Sequence, residues 1–133
     1  MKFKKILTTT MCGFLCAAML MPSQAYAKTN KNVTGNSNGM YYALTWGDIN
    51  KKGKAKPTAK TKNDIGSQGY PSVQLASSGI ATKSKHGTSK KNAASVSVSL
   101  GSKVSDATSC HNFYTGKKMT GQCIASKRIH TVL

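Results

Sequence analysis

Strict alternation of apolar and hydroxyl side chains is the feature that most constrains the fold of this chain. Residues 94–100 read ASVSVSL, so Val96 and Val98 stand between serines. Successive side chains of a β-strand point to opposite faces of its sheet, and this pattern therefore predicts a strand with one apolar and one hydroxyl face. Helical periodicity is absent beyond the amino-terminal apolar segment, so the sequence predicts a fold built from strands.

Other segments repeat the pattern over short lengths. Residues 40–46, MYYALTW, place Met40, Tyr42, Leu44 and Trp46 on one face. The segments PSVQLAS, KVSDATSC and RIHTVL are further short candidates, separated by turns rich in glycine, serine and asparagine. Several short strands of this kind predict an all-β fold, a small antiparallel β-sandwich or barrel-like domain.

The amino terminus has the pattern of a secretory signal peptide. Three lysines lie in MKFKK, an apolar stretch runs from Ile6 to Met21, and the small-residue pattern AYA follows at 25–27. The apolar run of 16 residues is shorter than the ~20 that span a bilayer. We therefore predict a signal peptide over 1–27, cleaved after Ala27, and a secreted, extracellular product with no transmembrane segment. The lysine-rich start is similar to exported proteins of Gram-positive bacteria.

The remaining 106 residues suffice for one domain. Residues 28–39, KTNKNVTGNSNG, are polar and predict a flexible N-terminal lead, so the single all-β domain spans 40–133. Within it, six lysines crowd around Pro57. Dense like charge, and a proline that cannot donate to a sheet ladder, predict a basic loop or flexible arm at 51–62.

Export would change the number of cysteines. Cys12 and Cys16 would leave with the signal peptide, and the mature chain would keep Cys110 and Cys123. Two cysteines in an exported protein usually form a disulfide, because oxidising compartments let disulfides persist.

The spacing of these two cysteines agrees with a hairpin. A four-residue loop at 115–118 would place Tyr114 opposite Met119, and therefore Cys110 opposite Cys123. Directly opposed residues have Cβ atoms ~4.5–5.5 Å apart, close to what a disulfide needs. We therefore expect a disulfide-closed hairpin whose bond contributes roughly 3 kcal/mol, with two lysines at its tip.

The histidines and cysteines form no recognisable metal or redox motif. His111 follows Cys110 directly, so in a strand the two side chains point to opposite faces and cannot converge on one zinc ion. The chain contains no C-x-x-C and no G-x-S-x-G, and we predict no metal site, no cofactor and no catalytic residue. The leading enzyme alternative is a metal-independent ribonuclease, which needs two of His86, His111 and His130 to converge beside a lysine.

The charge balance predicts an anionic partner. The predicted mature chain carries 16 lysines, one arginine, three aspartates and no glutamate, a formal charge of +14 with neutral histidines. Such a bias attracts polyanions: nucleic acid, anionic lipid headgroups or acidic cell-wall polymers. Lysine acts as a hydrated point charge, so a chain whose one arginine is Arg128 favours diffuse docking over sequence-specific DNA recognition. The candidate contact residues are Lys51, Lys52, Lys54, Lys56, Lys60, Lys62, Lys117 and Lys118.

Two classes of function fit these observations. The first, which we predict, is a secreted, non-enzymatic binding protein that presents lysines to an anionic surface or polymer. Its lysine-rich segment at 51–62 has no interleaved aromatic residues, which disfavours a base-stacking platform. The second is a secreted antimicrobial protein acting on a competitor's envelope. In size, charge, export signal and Ser/Gly-rich strands, the chain resembles small cationic β-sandwich bacteriocins of the lactococcin type, and this resemblance implies the second function.

Overall fold

A computed structural model describes residues 32–64 and 69–133, so the predicted signal peptide and its cleavage site lie outside the described residues. The described chain is all-β and forms two antiparallel sheets of four strands each. Its strands are β1 (Val33–Ser37), β2 (Met40–Trp46), β3 (Pro57–Asn63), β4 (Tyr70–Ser77), β5 (Ile80–His86), β6 (Ser95–Ser99), β7 (Asp106–Gly116) and β8 (Thr120–Val132). Sheet 1 has the order β1-β2-β3-β6, and sheet 2 has the order β5-β4-β7-β8.

The two sheets pack face to face around one apolar core. Leu44 of sheet 1 and Val73 and Leu75 of sheet 2 have no exposed surface and belong to one buried cluster. The Trp46 indole N–H crosses the layers and donates to Thr131 Oγ1 at 2.9 Å. The predicted all-β fold is therefore confirmed.

The alternating pattern is confirmed in β6 and, at Leu44 and Trp46, in β2. In β6, Val96 is buried, while Ser95, Ser97 and Ser99 are exposed. In β2, Leu44 lies in the core with its pattern partner Trp46. Period-two alternation identified these strands because each has one face on the core and one on solvent.

Two-residue turns connect neighbouring strands. Asn38 and Gly39 join β1 to β2 with φ of 51° and 82°, the left-handed pair that asparagine and glycine adopt most readily in hairpins. Gly39 N donates to Asn36 Oδ1 at 3.0 Å and braces this turn. Ser78 and Gly79 join β4 to β5, with a φ of 74° at the glycine.

Two boundaries differ from the sequence prediction. The described part of the predicted lead at 28–39 is not a loose segment, because 33–37 form β1 and pair with β2. The predicted loop at 51–62 ends early, because 57–63 form β3, a central strand of sheet 1. Pro57 is the first residue of that strand, a position where its missing N–H costs little.

The predicted register of the β7–β8 hairpin is wrong. The turn residues are Lys117 to Met119, with Gly116 opposite Thr120, and two irregularities shift the register farther along. Cys123 therefore lies opposite Tyr114, whereas Cys110 lies opposite Arg128. The two cysteines sit about 13 Å apart along the hairpin, since each residue of a strand advances ~3.4 Å. No disulfide joins them in the structure.

Candidate functional site

The first group of predicted contact lysines lies in the loop between β2 and β3. Lys51, Lys52, Lys54 and Lys56 are all exposed there. The amide N–H groups of Lys52 and Lys54 both donate to the side chain of Asn50, at 3.0 and 2.9 Å. This loop is therefore a braced turn that displays four ammonium groups.

The same loop is tied to the β6–β7 connection. Ala55 N donates to Val104 O at 3.0 Å, and Val104 N donates back to Ala55 O at 2.8 Å. Ala55 has no exposed surface and belongs to the core cluster. Hydrogen bonds and burial fix the base of the loop, so the prediction of a flexible arm does not describe it. We call this end of the sandwich, with Lys51, Lys52, Lys54 and Lys56, the β2–β3 end.

Lys60 and Lys62 occupy the outer face of sheet 1 instead of a loop. Lys60 lies between Ala43 and Ser97 on the neighbouring strands and is exposed. Lys62 Nζ lies 3.2 Å from Asp64 Oδ1 and 5.2 Å from the centre of the Tyr41 ring. The charge of Lys62 is thus shared with local partners, whereas Lys60 faces solvent.

Lys117 and Lys118 lie at the tip of the β7–β8 hairpin, as predicted. Lys118 N donates to Gly87 O at 3.4 Å, which brings the tip against the loop between β5 and β6. That loop carries two further exposed lysines, Lys90 and Lys91. We call this group of four lysines, Lys90, Lys91, Lys117 and Lys118, the β7–β8 end.

The two lysine-bearing ends lie on opposite sides of the molecule. β3 begins beside Trp46 at the β2–β3 end. It finishes at Asn63, whose side-chain N–H donates to Lys90 O at the other end. Seven residues of strand separate them, about 20 Å at ~3.4 Å per residue. The structure therefore does not unite the predicted contact residues in one patch.

Little negative charge offsets these lysines. Asp64 pairs with Lys62, the single ion pair within residues 32–64 and 69–133, and also accepts from Asn36 at 2.9 Å. Asp106 accepts from Ser77 and Ser78 hydroxyls at 3.1 and 3.2 Å. Two of the three carboxylates are thus held by side chains from other strands or turns, at hydrogen-bond distance.

A cleft of about 510 Å³ opens where the chain crosses from β5 of sheet 2 to β6 of sheet 1. Its floor includes Pro71 and Val96, one residue from each sheet. The polar residues that line it are Lys85, His86, Thr88, Ser89, Lys91, Asn92 and Ser95. The lining residues therefore include two lysines, a histidine and three hydroxyl-bearing residues around one concave surface.

Asn63 holds the wall of this cleft in place. Its backbone N–H donates to Ala94 O at 2.8 Å, and its backbone oxygen accepts from Ala93 N at 2.7 Å. Its side-chain N–H₂ donates to Lys90 O at 2.8 Å and to Gly69 O at 3.3 Å. Asn63 has no exposed surface, so the loop is anchored from inside the protein.

Sequence reasoning did not select the cleft residues. Residues 86–92, HGTSKKN, combine glycine, hydroxyls and lysines, the composition of many anion-binding loops. That signal is weak alone, since the segment lacks the spacing of a known phosphate-binding motif. The anchoring residue, Asn63, lies over twenty positions earlier and has no local pattern that marks it.

His111 is buried between the sheets. Nδ1 lies 2.9 Å from Thr61 Oγ1 on the opposite sheet, and Nε2 lies 2.7 Å from Ser109 Oγ. Thr61 donates its own proton to Ser72 O at 3.0 Å, so we assign the proton of the neutral imidazole to Nδ1 and the acceptor role to Nε2. Burial lowers the pKa of His111 to about 4, against an opposing contribution from a backbone hydrogen bond to Lys60. Ser109 and His111 have no exposed surface, so this Ser–His pair offers no access to a substrate, and the contact of Thr61 with His111 joins the two sheets.

The other two histidines do not converge with it. His130 lies on the opposite face of sheet 2, with Nδ1 2.7 Å from Thr108 Oγ1. His86 shares that face but stands on β5, three strands and four register positions away. The two are about 20 Å apart at ~4.8 Å per strand and ~3.4 Å per residue. The histidine pair that a ribonuclease of this kind needs is not assembled.

The described ranges contain no group of three His, Cys, Asp or Glu side chains arranged as metal ligands would be. Across the same residues, no helix has the length and apolarity to cross a membrane. Comparisons with protein-family models, with curated proteins and with solved structures find no match for this chain. Charge, cleft chemistry and geometry are therefore the grounds for any functional proposal.

Proposed function

We propose that this protein is a secreted, non-enzymatic binding protein that docks on anionic polymers or surfaces. The observation that supports this most is the distribution of charge. Residues 32–64 and 69–133 contain 14 lysines and one arginine against three aspartates, and the ion pair of Lys62 with Asp64 is the single one among them. All the other lysines of these ranges are exposed.

Exposed lysines without counter-charges give the surface a positive potential that concentrates polyanions near it. The braced β2–β3 loop and the anchored β5–β6 loop hold their lysines on fixed backbone, which reduces the entropy lost when they meet a ligand. Lysine head groups dock as hydrated point charges, so contact depends on phosphate or carboxylate density more than on sequence. Secretion is part of the proposal and rests on the signal-like amino terminus.

The proposal predicts binding that weakens steeply with salt. We expect the purified protein to bind a cell-wall phosphate polymer, vesicles rich in anionic lipid, and RNA, each at low ionic strength. Raising salt from about 50 to about 200 mM should reduce affinity by at least about ten-fold, because binding releases condensed counterions. A titration at each salt concentration measures this, and vesicles of zwitterionic lipid alone provide the control.

Binding that persists unchanged across the salt series would contradict the electrostatic mechanism. Killing of a sensitive bacterial strain at low dose, scored in parallel, would support the antimicrobial alternative. Cleavage of the RNA that is lost in a His86→Gln or His130→Gln variant would support an enzyme instead. Each alternative therefore has an outcome of its own in one set of samples.

A further inference from the structure

We infer that the cleft between β5 and β6 is a binding site for the phosphodiester units of a polyol phosphate polymer. This inference rests on the proposed function and assigns one site and one ligand class within it. In this cleft, charge, hydroxyl groups and a fixed backbone coincide.

The electrostatics of the cleft select an anion. Lys85 and Lys91 both line it, and His86 is a third basic residue of the lining. Its lining, taken over the residues that the structure describes, includes none of the three aspartates. The nearest carboxylate in sequence, Asp64, is already paired with Lys62 at 3.2 Å. An entering phosphate therefore meets two ammonium groups and no opposing acid.

The hydrogen-bonding groups suit a phosphate flanked by alcohols. Thr88, Ser89 and Ser95 supply hydroxyls, and Asn92 supplies an amide. Hydroxyls both donate and accept, so they match phosphate oxygens and polyol hydroxyls alike. No Phe, Tyr or Trp side chain lines the cleft among the described residues, and single-stranded nucleic acid binding depends largely on stacking against such rings. A polyol phosphate chain fits this lining better than a nucleic acid.

Hydrogen bonds within the protein preorganise the backbone of the cleft. Asn63 ties its wall to β3 through three hydrogen bonds, and Gly87 N donates to Pro71 O at 2.7 Å. A Cβ at Gly87 would collide with Pro71 O, so this close approach of loop and strand requires glycine. A volume of about 510 Å³ lies in the range of small-ligand sites. Such a space accepts a short run of repeating units.

The surroundings explain why a polymer is favoured over a single small anion. Lys118 N donates to Gly87 O at 3.4 Å, so the hairpin tip with Lys117 and Lys118 stands beside the cleft loop. A chain that leaves the cleft meets these lysines next. The polymer can therefore place one phosphate in the cleft and the next ones on the tip.

The test compares three probes of matched phosphate number by calorimetry at moderate salt: an oligomer of glycerol phosphate, a single-stranded oligonucleotide, and phosphatidylglycerol vesicles. We expect the wild-type protein to prefer the glycerol phosphate oligomer. Lys85→Gln combined with Lys91→Gln should weaken binding of that oligomer by about 10- to 100-fold, since hydrogen bonds to charged groups are the strong ones. Affinity for the oligonucleotide should fall much less.

A charge-matched control separates the site from general electrostatics. Lys51→Gln combined with Lys52→Gln removes the same charge at the β2–β3 end, and should weaken all three probes alike while keeping the preference. Ser95→Leu alters no charge and narrows the cleft on an exposed strand position, so it should also reduce the preference. Circular dichroism and the melting temperature check that each variant is folded.

Equal losses in the cleft variant and the control would overturn the assignment of the site, as would a wild-type protein without preference for the oligomer. Preference for the vesicles over the oligomer would show a lipid surface as the ligand and overturn the polymer assignment. None of these outcomes contradicts the proposed function, because each concerns only the site or the class of ligand. That function fails separately if no probe binds at low salt.

Discussion

At the scale of single residues, His111 is a polar bridge inside an apolar core. Its ring joins Thr61 of one sheet to Ser109 of its own strand, at 2.9 and 2.7 Å. The Tyr42 ring lies 5.8 Å from it, between centres. Because every polar atom of the ring is paired, the neutral form costs little to bury, while a charged form would be expensive. The sequence predicted that His111 and Cys110 occupy opposite faces of a strand, but no local pattern indicated the contact with Thr61, 50 positions earlier.

This bridge predicts a loss of stability in acid. Burial lowers the pKa of His111 to about 4, below its ordinary 6.5. Between these two pH values the unfolded chain binds a proton at His111 that the folded chain does not bind. The contribution of His111 to the free energy of unfolding is therefore complete above pH 6.5 and is lost as the pH falls toward 4. The free energy of unfolding should fall by about 3 kcal/mol over this window from His111 alone.

Denaturant titrations at a series of pH values between 7 and 4 measure this contribution. His111→Gln keeps hydrogen-bonding groups at the site and cannot titrate, so its unfolding free energy should vary less with pH than that of the wild-type protein. His86→Gln removes an exposed imidazole and is the matched control. Parallel pH profiles for the wild type and His111→Gln would refute the argument.

At the scale of strands, β3 occupies residues for which the sequence predicted a loop. Residues 57–63, PTAKTKN, alternate Ala59, Thr61 and Asn63 toward the interior with Lys60 and Lys62 toward solvent. The lysine density predicted a loop, yet a central strand tolerates lysines when they all lie on one outer face. Small and hydroxyl side chains on the inner face carried too weak an apolar signal to reveal the strand.

The predicted register of the β7–β8 hairpin was wrong for a different reason. Its turn begins two residues later than predicted, and Lys118 and Met119 adopt positive φ values of 56° and 60°. Gly121 follows with a φ of 75°, and the register shifts twice near the turn. Sequence does not mark these bulges clearly, and one misplaced residue changes every opposed pair.

The observed register predicts that no Cys110–Cys123 disulfide forms in the native protein. Trypsin cleaves after Lys117 and Lys118, between the two cysteines, so a bonded pair would appear as two linked peptides in an unreduced digest. We expect mass spectrometry to find no such linked species. As a positive control, Thr58→Cys combined with Ser99→Cys should cross-link under mild oxidation, because these hydroxyls lie 2.6 Å apart on directly opposed residues. A linked Cys110–Cys123 peptide in the native protein would contradict the register.

At the scale of the whole molecule, the fold class was predictable and the site was not. Alternation identified the core strands because burial on one face imposes a period of two. The lysines of the β2–β3 loop and of the hairpin tip were also recognised locally. Their separation onto opposite ends, and the meeting of Lys85, Lys91 and Ser95 in one cleft, depend on strand order and on the crossing between sheets. Those are long-range properties that no segment of the sequence encodes by itself.

Under the proposed function, two basic ends about 20 Å apart would give the molecule two contact sites for long polyanions. A short oligomer of a few phosphates reaches one end, whereas separate long chains can be held at both. We therefore expect the protein to bridge long poly(glycerol phosphate) into scattering particles at low salt, and short oligomers to give no scattering. A variant with one end neutralised should still bind measurably but should no longer bridge, because a molecule with one basic end cannot join two chains. This variant combines Lys51→Gln, Lys52→Gln, Lys54→Gln and Lys56→Gln.

Light scattering and a binding titration on the same samples separate these two properties. The matched control neutralises Lys60, Lys83, Lys127 and Arg128, which removes equal charge from exposed positions along the strands of the sandwich. That control should bind more weakly and still bridge, since lysines remain at both ends. If the one-ended variant scatters as strongly as the control, the charges act as one diffuse cloud, and the two-ended arrangement has no functional consequence.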